Sequence, residues 1–223
     1  MIEVDVSLTS DAIPVLSHNF RPGNEDYYNS KIPTLFEFKK AKIRDRYTPL
    51  TLDEFIACYK DFDGYIFVDQ ALGVEEFDFA EYFRQHVSHE RMQRFILQVH
   101  TFEDLKYYGT SKVFGGIHFD LSRNYNGPYG ACGLAPYVFN MLKLRGCDSF
   151  IKMLKSHGCD SVSFGDCAIT PEIANMVKAF NDANIVISVA RCNSIKRYNE
   201  WRRIGVTCID TDYLLPDDIK GLE

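Results

Sequence analysis

Short apolar runs alternating with helical text set the rhythm of this chain. Tyr65-Ile66-Phe67-Val68-Asp69, Phe95-Ile96-Leu97-Gln98-Val99, Val113 to Phe119, Asp160 to Phe164, Ile185 to Val189 and Val206 to Asp210 have the length and apolar content of buried strands. Between them apolar residues recur three and four apart, as in Leu52, Phe55, Ile56 and Tyr59, in Phe79, Ala80, Phe83 and Val87, and in Ile173, Val177 and Phe180. That spacing gives a helix one apolar face. The boundaries are marked. Thr51-Leu52-Asp53-Glu54 is a capping box, Thr101 caps a short helix through Leu105, and Thr170-Pro171 is an N-cap followed by proline at the first helical position. Helical text also runs through Val138-Phe139, through Phe150, Ile151 and Leu154 to a stop at Gly158, and from Ser194 to Ile204 with Gly205 after it.

Strands too apolar to have a wet face, each followed by a helix, make a parallel sheet covered by helices. Seven such strands are expected, near Glu3, Ile66, Leu97, Ile117, Val162, Ile187 and Ile209. A doubly wound sheet holds seven; a (β/α)8 barrel needs eight. The chain opens inside a strand, so the expectation is an α/β fold, (β/α)8 TIM-barrel-like and lacking its first βα unit, as a single domain over residues 1–223. The neighbours of the missing strand would then bare apolar edges near Val4 and Val206, so the chain is expected to dimerise across the gap as a homodimer, to cover it with its C-terminal segment or to be poorly soluble.

The opening strand differs from the others. In Ile2-Glu3-Val4-Asp5-Val6 the acidic residues alternate with apolar ones, so Glu3 and Asp5 share a face. Such a pair is tolerated where a cation lies between the carboxylates or where the face is wet. A turn at Ser10-Asp11 leads to Ile13-Pro14-Val15-Leu16 and ends in His18, so a hairpin brings a histidine back towards the acids. An edge strand with a solvated acidic face reads the same way. A long loop follows through Arg21–Leu35, with a short helix over Phe36–Lys42; Asn124–Pro136 is a second irregular loop.

In either architecture chemistry gathers at the C-terminal strand ends. Glu3, Asp5, Asp69, Gln98, His118, Asp120, Asp166, Arg191 and Asp210 lie at or near such ends. Asp69 reads equally as a metal ligand or a helix N-cap, and His118 as a structural histidine.

Composition narrows the partners. A net charge of −6 over 223 residues argues against nucleic acid, and no apolar run approaches the ~20 residues of a membrane span. The N-terminus lacks a basic region and carries Glu3 and Asp5 where a leader would be apolar. Seven cysteines without a CxxC pair point to free, mostly buried thiols in a reducing compartment, the cytoplasm.

The pattern Glu3-x-Asp5-Val6-x-x-Thr9-x-Asp11-x-x-Pro14-Val15-x-x-His18 resembles the signature of the glycerophosphodiester phosphodiesterases and the wider phospholipase-C-like phosphodiesterase barrels. Pro49 to Phe55 is similar to the family's T-L-x-E-L helix start, Val68-Asp69-Gln70-Ala71 to the strand bearing the third metal ligand, and Gly205-Val206-x-x-Ile209-x-Thr211-Asp212 to its closing motif. The resemblance spans essentially the whole chain. It implies a metal-dependent phosphodiesterase of lipid metabolism, with Mg²⁺ or Ca²⁺ on Glu3, Asp5 and Asp69 and with His18 as general acid. Gln98 and Arg191 are the expected substrate-binding residues, and the partner is a small-molecule phosphodiester. The chain departs from the family in carrying Asn19 where aspartate is usual and Ala71 where a phosphate-binding lysine is usual, and in showing no aromatic in Ser188-Val189-Ala190-Arg191. The family's His-Arg-Gly-like strand, with the second histidine of the acid–base pair, would lie before Met1. Two further readings therefore stand beside the active enzyme: a catalytically impaired or inactive barrel that binds a metal or phosphate ligand, and an unrelated α/β enzyme.

Overall fold

The computed structural model describes residues 1–18, 20, 32–41, 46–70, 77–122 and 136–219, with the backbone alone at 70, 136–145 and 216. Most of the long loop after His18, the stretch 124–135 and the motif positions Asn19 and Ala71 lie outside the described residues. The chain divides into two units, the first comprising Met1–Gln98 with Ser111–Gly115, the second Val99–Thr110 with Gly116–Glu223.

The first unit contains β1 (Ile2–Leu8), β2 (Pro14–Leu16), α1 (Leu35–Lys40), α2 (Leu52–Cys58), β3 (Ile66–Gln70), α3 (Phe79–His86), α4 (His89–Met92) and β4 (Phe95–Val99, whose last residue falls in the second unit). Its strand order is β2-β1-β3-β4. β1, β3 and β4 are parallel, and β2 pairs antiparallel with β1 through Val6↔Leu16, Ser7↔Val15 and Leu8↔Pro14. The expected capping box is present: Thr51 Oγ1 accepts from Glu54 N, and the Glu54 carboxylate accepts from Thr51 N. The same device opens α1, with Thr34 and Glu37.

The second unit contains α5 (Phe102–Ser111, all but its last residue), β5 (Gly116–Asp120), α6 (Pro136–Ser156), β6 (Cys159–Gly165), α7 (Pro171–Asp182), β7 (Val186–Ala190), α8 (Ile195–Arg203), β8 (Cys208–Ile209) and α9 (Pro216–Ile219). Its strands run β5-β6-β7-β8, parallel throughout. Alternate positions fill its core: Val162, Phe164, Ile187, Val189 and Trp201 are fully buried. His118 is also buried, its Nδ1 2.9 Å from Ser161 Oγ. The two helical stretches expected before Gly158 are both found within α6, separated at Gly146, whose backbone is not helical (φ 75°, ψ 160°).

The seven parallel strands fall where the apolar runs lie. Near the expected edge, Val206 is fully buried and its N–H donates to Trp201 O (3.1 Å) at the end of α8, so the last strand's ladder is confined to Cys208–Ile209. Val4 is half-buried. The described cysteines are free, but only Cys159 and Cys192 are buried; Cys58 is exposed.

One glycine sets a helix contact. Alanine normally stabilises a helix interior over glycine by about 1 kcal/mol. A Cβ on Gly109 of α5, however, would stand 1.8 Å from the His157 carbonyl oxygen, and backbone cannot rotate away. Overpacking outweighs propensity, and Gly109→Ala is expected to destabilise by about 2 kcal/mol in urea unfolding.

Candidate functional site

The acids of the opening strand acquire a third partner through register. In parallel pairing Glu3 faces Phe67 and Asp5 faces Asp69 across β1 and β3. Partners in register share a face, so Glu3, Asp5 and Asp69 lie on one side of the sheet. One carboxylate oxygen from each lies within 4.8 Å of the other two, with Glu3 exposed and both aspartates partly buried. Charges so close repel by roughly 1 kcal/mol per pair even in water, and more as water is withdrawn. Phe67 is in register with Ile96, so Gln98, two residues further along β4, falls on the same face.

The hairpin carries His18 to the same strand. Ser17 N donates to Asp5 O (3.1 Å), and Ser17 O accepts from Ser7 Oγ (2.7 Å), which pins the residue before His18 on both sides. His18 is exposed. Two further motif residues build the turn. Thr9 Oγ1 accepts from Ile13 N (3.0 Å), Ala12 turns at φ 59°, and the Asp11 carboxylate accepts from Leu35 N (2.9 Å), tying α1 to the hairpin. Hydrogen bonds from Thr9 and Leu35 hold the Asp11 carboxyl below its ordinary range.

In the second unit Arg191 ends β7 in a left-handed conformation (φ 60°) and is exposed. A different arginine is the engaged one there. Arg197 of α8 donates to Asp166 through Nε (3.0 and 3.3 Å) and Nη2 (2.6 Å), and Trp201 Nε1 adds a third donor (2.7 Å). Asp166 is thus committed to structure. Asp210 accepts from Ser188 Oγ (3.1 Å).

Sequence reasoning passed over His100. It follows β4 directly, is 5% exposed, and its Nδ1 lies 3.3 Å from Asp120 Oδ2 at the end of β5. Asp120 Oδ1 also accepts from Ser122 N (2.8 Å) and Oγ (2.6 Å). The signal available was position alone, a histidine between an apolar run and the Thr101 cap. Burial by itself would raise the Asp120 carboxyl; the His100 ring and the Ser122 donors outweigh it and hold it at about 2. A carboxyl depressed by folding contributes stability above its unfolded value and loses it as pH falls through the folded one. Urea unfolding is expected to show a loss of about 2 kcal/mol, relative to Asp120→Asn, as pH falls from about 4 to about 2.

No family model matches the sequence, and no curated protein is matched by it. Solved structures are matched over nearly the whole chain. A glycerophosphoryl diester phosphodiesterase from Parabacteroides distasonis is similar over 99% of this chain and 75% of its own, at 15% identity and a TM-score of 0.65. A glycerophosphodiester phosphodiesterase from Thermotoga maritima is similar over 94% and 80%, at 18% identity and a TM-score of 0.63. An Oleispira antarctica phosphodiesterase, solved with the product sn-glycerol-3-phosphate, is similar over 95% and 80%, at 18% identity and a TM-score of 0.62. The resemblance first visible in the motif around Glu3, Asp5 and His18 therefore extends to the backbone: this chain has the TIM-barrel-like α/β fold of the glycerophosphodiester phosphodiesterases.

Proposed function

We propose that the chain, as one domain, is a metal-dependent phosphodiester hydrolase acting on glycerophosphodiester-like substrates. The observation that carries this is the convergence of Glu3, Asp5 and Asp69. The donor set fits a hard divalent cation, for which all-oxygen ligands are preferred. Two oxygens sharing one Ca²⁺ at about 2.3–2.6 Å stand at most about 5 Å apart, and the 4.8 Å limit respects that. A Mg²⁺ or Ca²⁺ held there would draw charge from a phosphoryl oxygen and offset what develops in the transition state. Where the substrate carries a hydroxyl next to the phosphate, as glycerophosphocholine does, that hydroxyl attacks phosphorus, its proton passing to water. The bond to the leaving alcohol breaks, and water opens the cyclic phosphate so formed. On bis(p-nitrophenyl) phosphate, which has no such hydroxyl, water itself attacks. His18 gives its proton to the departing oxygen, and the Gln98 amide donates to the phosphate.

A second reading is a catalytically impaired or inactive chain that binds the metal or a phosphate ligand. It is favoured by the placing of histidines in the first unit: His86 and His89 lie on α3 and α4, and His18 alone follows the hairpin. The cytoplasm is the proposed compartment, supported by the free thiols among the described residues. None of the helices described is long and apolar enough to cross a membrane. If the chain dimerises, Ile2 to Val4 is the proposed contact, since β2 pairs further along, from Val6 to Leu8.

The test is hydrolysis of glycerophosphocholine and bis(p-nitrophenyl) phosphate with Mg²⁺ or Ca²⁺ against EDTA, alongside thermal unfolding with and without the cation. Metal-dependent turnover, together with a thermal shift that Asp5→Asn removes, is expected. A thermal shift without turnover selects the second reading, and neither effect sinks both.

A further inference from the structure

The strands of the second unit have two unlike faces. Phe119 packs on Phe102 of α5 and Phe164 on Trp201 of α8, with ring centroids 5.1 and 5.6 Å apart, so this face meets the helices. Alternate residues turn the other way. Among them are His118 and Asp120 of β5, Ser161 and Ser163 of β6, and Ser188 of β7. Inward positions of a parallel barrel are ordinarily bulky and branched. Here they are small or polar.

Register sets three of them abreast. Asp120 pairs with Ser163, and Ser163 with Ser188. Neighbours in such a row stand about 4.8 Å apart. Asp120 is held by His100 and Ser122. Ser188 (7% exposed) donates to Oδ2 of the exposed Asp210 (3.1 Å) and keeps the capacity to accept. Ser163, in the middle, is 8% exposed, and its hydroxyl has no hydrogen-bond partner among the described residues. A buried hydroxyl left in that state costs free energy, and native proteins keep few of them. The next pair along β6 and β7 is Gly165 with Ala190, so those strands place nothing larger than a methyl beside it on that side.

The chemistry of the row says what would fill it. Asp210 has no cationic partner among the described residues, so an anion such as phosphate is disfavoured there. None of the row's residues is Phe, Tyr or Trp, so a quaternary ammonium has no ring to lie on. A primary ammonium only donates and would use half of what a serine hydroxyl offers; a ligand hydroxyl both donates and accepts. We propose that Ser163 and Ser188, with the Asp210 carboxylate beside them, bind a small neutral polyol. Ser163 donates to one ligand hydroxyl and accepts from another, and Ser188 and Asp210 accept. The inference concerns residues of the second unit alone and stands whether or not the chain hydrolyses a phosphodiester.

The test is ligand-observed NMR of the full chain, with glycerol and sorbitol as polyol probes and with ethanolamine and inorganic phosphate as charged ones. Saturable binding of a polyol is expected. Ser163→Ala and Ser188→Ala should each weaken it about fivefold, the loss of one hydrogen bond. Ser156→Ala, at an exposed serine of α6, should leave it unchanged. Without ligand, Ser163→Ala should melt no lower than the unaltered chain, because the hydroxyl it removes bonds to nothing in the protein. Circular dichroism confirms that each variant is folded. Absence of saturable polyol binding overturns the proposal, as does polyol binding that both serine variants retain in full. Binding of ethanolamine or phosphate in place of the polyols overturns it as well, and a lower melting temperature for Ser163→Ala assigns that hydroxyl to structure instead.

Discussion

His18→Ala is expected to slow hydrolysis of glycerophosphocholine about 10²–10⁴-fold, the range for loss of a positioned general acid. The same variant should slow bis(p-nitrophenyl) phosphate about tenfold or less. The difference follows from the leaving groups. An alkoxide is too basic to depart without a proton, whereas nitrophenolate carries its own charge away. The proposed metal ligands Glu3, Asp5 and Asp69 are left in place by the substitution, so a thermal shift with cation should persist. The position of residue 18 should persist as well, because the backbone of Ser17 is fixed by hydrogen bonds to Asp5 O and from Ser7 Oγ that do not involve the imidazole. Equal losses on both substrates would reassign His18 from proton transfer to binding.

The second large effect is on stability. Asp166→Ala is expected to cost about 3 kcal/mol in urea unfolding near neutral pH. Trp201 is fully buried and its indole N–H donates to Asp166 Oδ1 (2.7 Å). Arg197 donates to the same carboxylate, to Glu200 (2.5 Å) and to the Cys167 carbonyl. Deleting the acceptor strands a buried donor and part of a guanidinium. The figure lies at the lower end of that for a fully buried pair, because the side chains of Arg197 and Asp166 keep about a quarter of their exposure. Asp166→Asn should cost less, since an amide oxygen still accepts from Trp201. Burial pushes the Asp166 carboxyl up, but Arg197 and Trp201 outweigh it and hold it low. The advantage of aspartate over asparagine is therefore present at neutral pH and lost in acid, as pH falls through the depressed value.

Much of the first unit was legible because its signals are local. The alternation of Glu3 and Asp5, the Ser10-Asp11 turn and the Thr51 cap each lie within a few residues, and each is found where the pattern puts it. The motif residues Thr9 and Asp11 were legible as a pattern but not as to purpose. Their work is mechanical, closing the turn and holding α1 by its first N–H. What the residues alone do not show is non-local, and Asp69 joins Glu3 and Asp5 at the level of sequence only through the family resemblance. That Asp69 stands opposite Asp5 rather than one residue away depends on the register of two strands far apart in sequence. The pairing of His100 with Asp120, and of Arg197 with Asp166 across 31 residues, depends likewise on which strand ends become neighbours. Composition fails there too, since Arg191 at a strand end and Arg197 inside a helix look equally available until the fold distributes their partners.

The three carboxylates differ in how the chain delivers them. Glu3 and Asp5 arrive together on a hairpin, a structure that forms in microseconds from local contacts. Asp69 comes 64 residues after Asp5 and joins them only when two distant strands pair. A one-residue slip of that pairing would turn Asp69 to the opposite face. A divalent cation would then bind the correctly registered chain and ignore the slipped one. At a hundred times its dissociation constant it would favour that state by about 2.7 kcal/mol. The ion would thus act as a proofreader of folding, rewarding the pairing of two strands far apart in sequence.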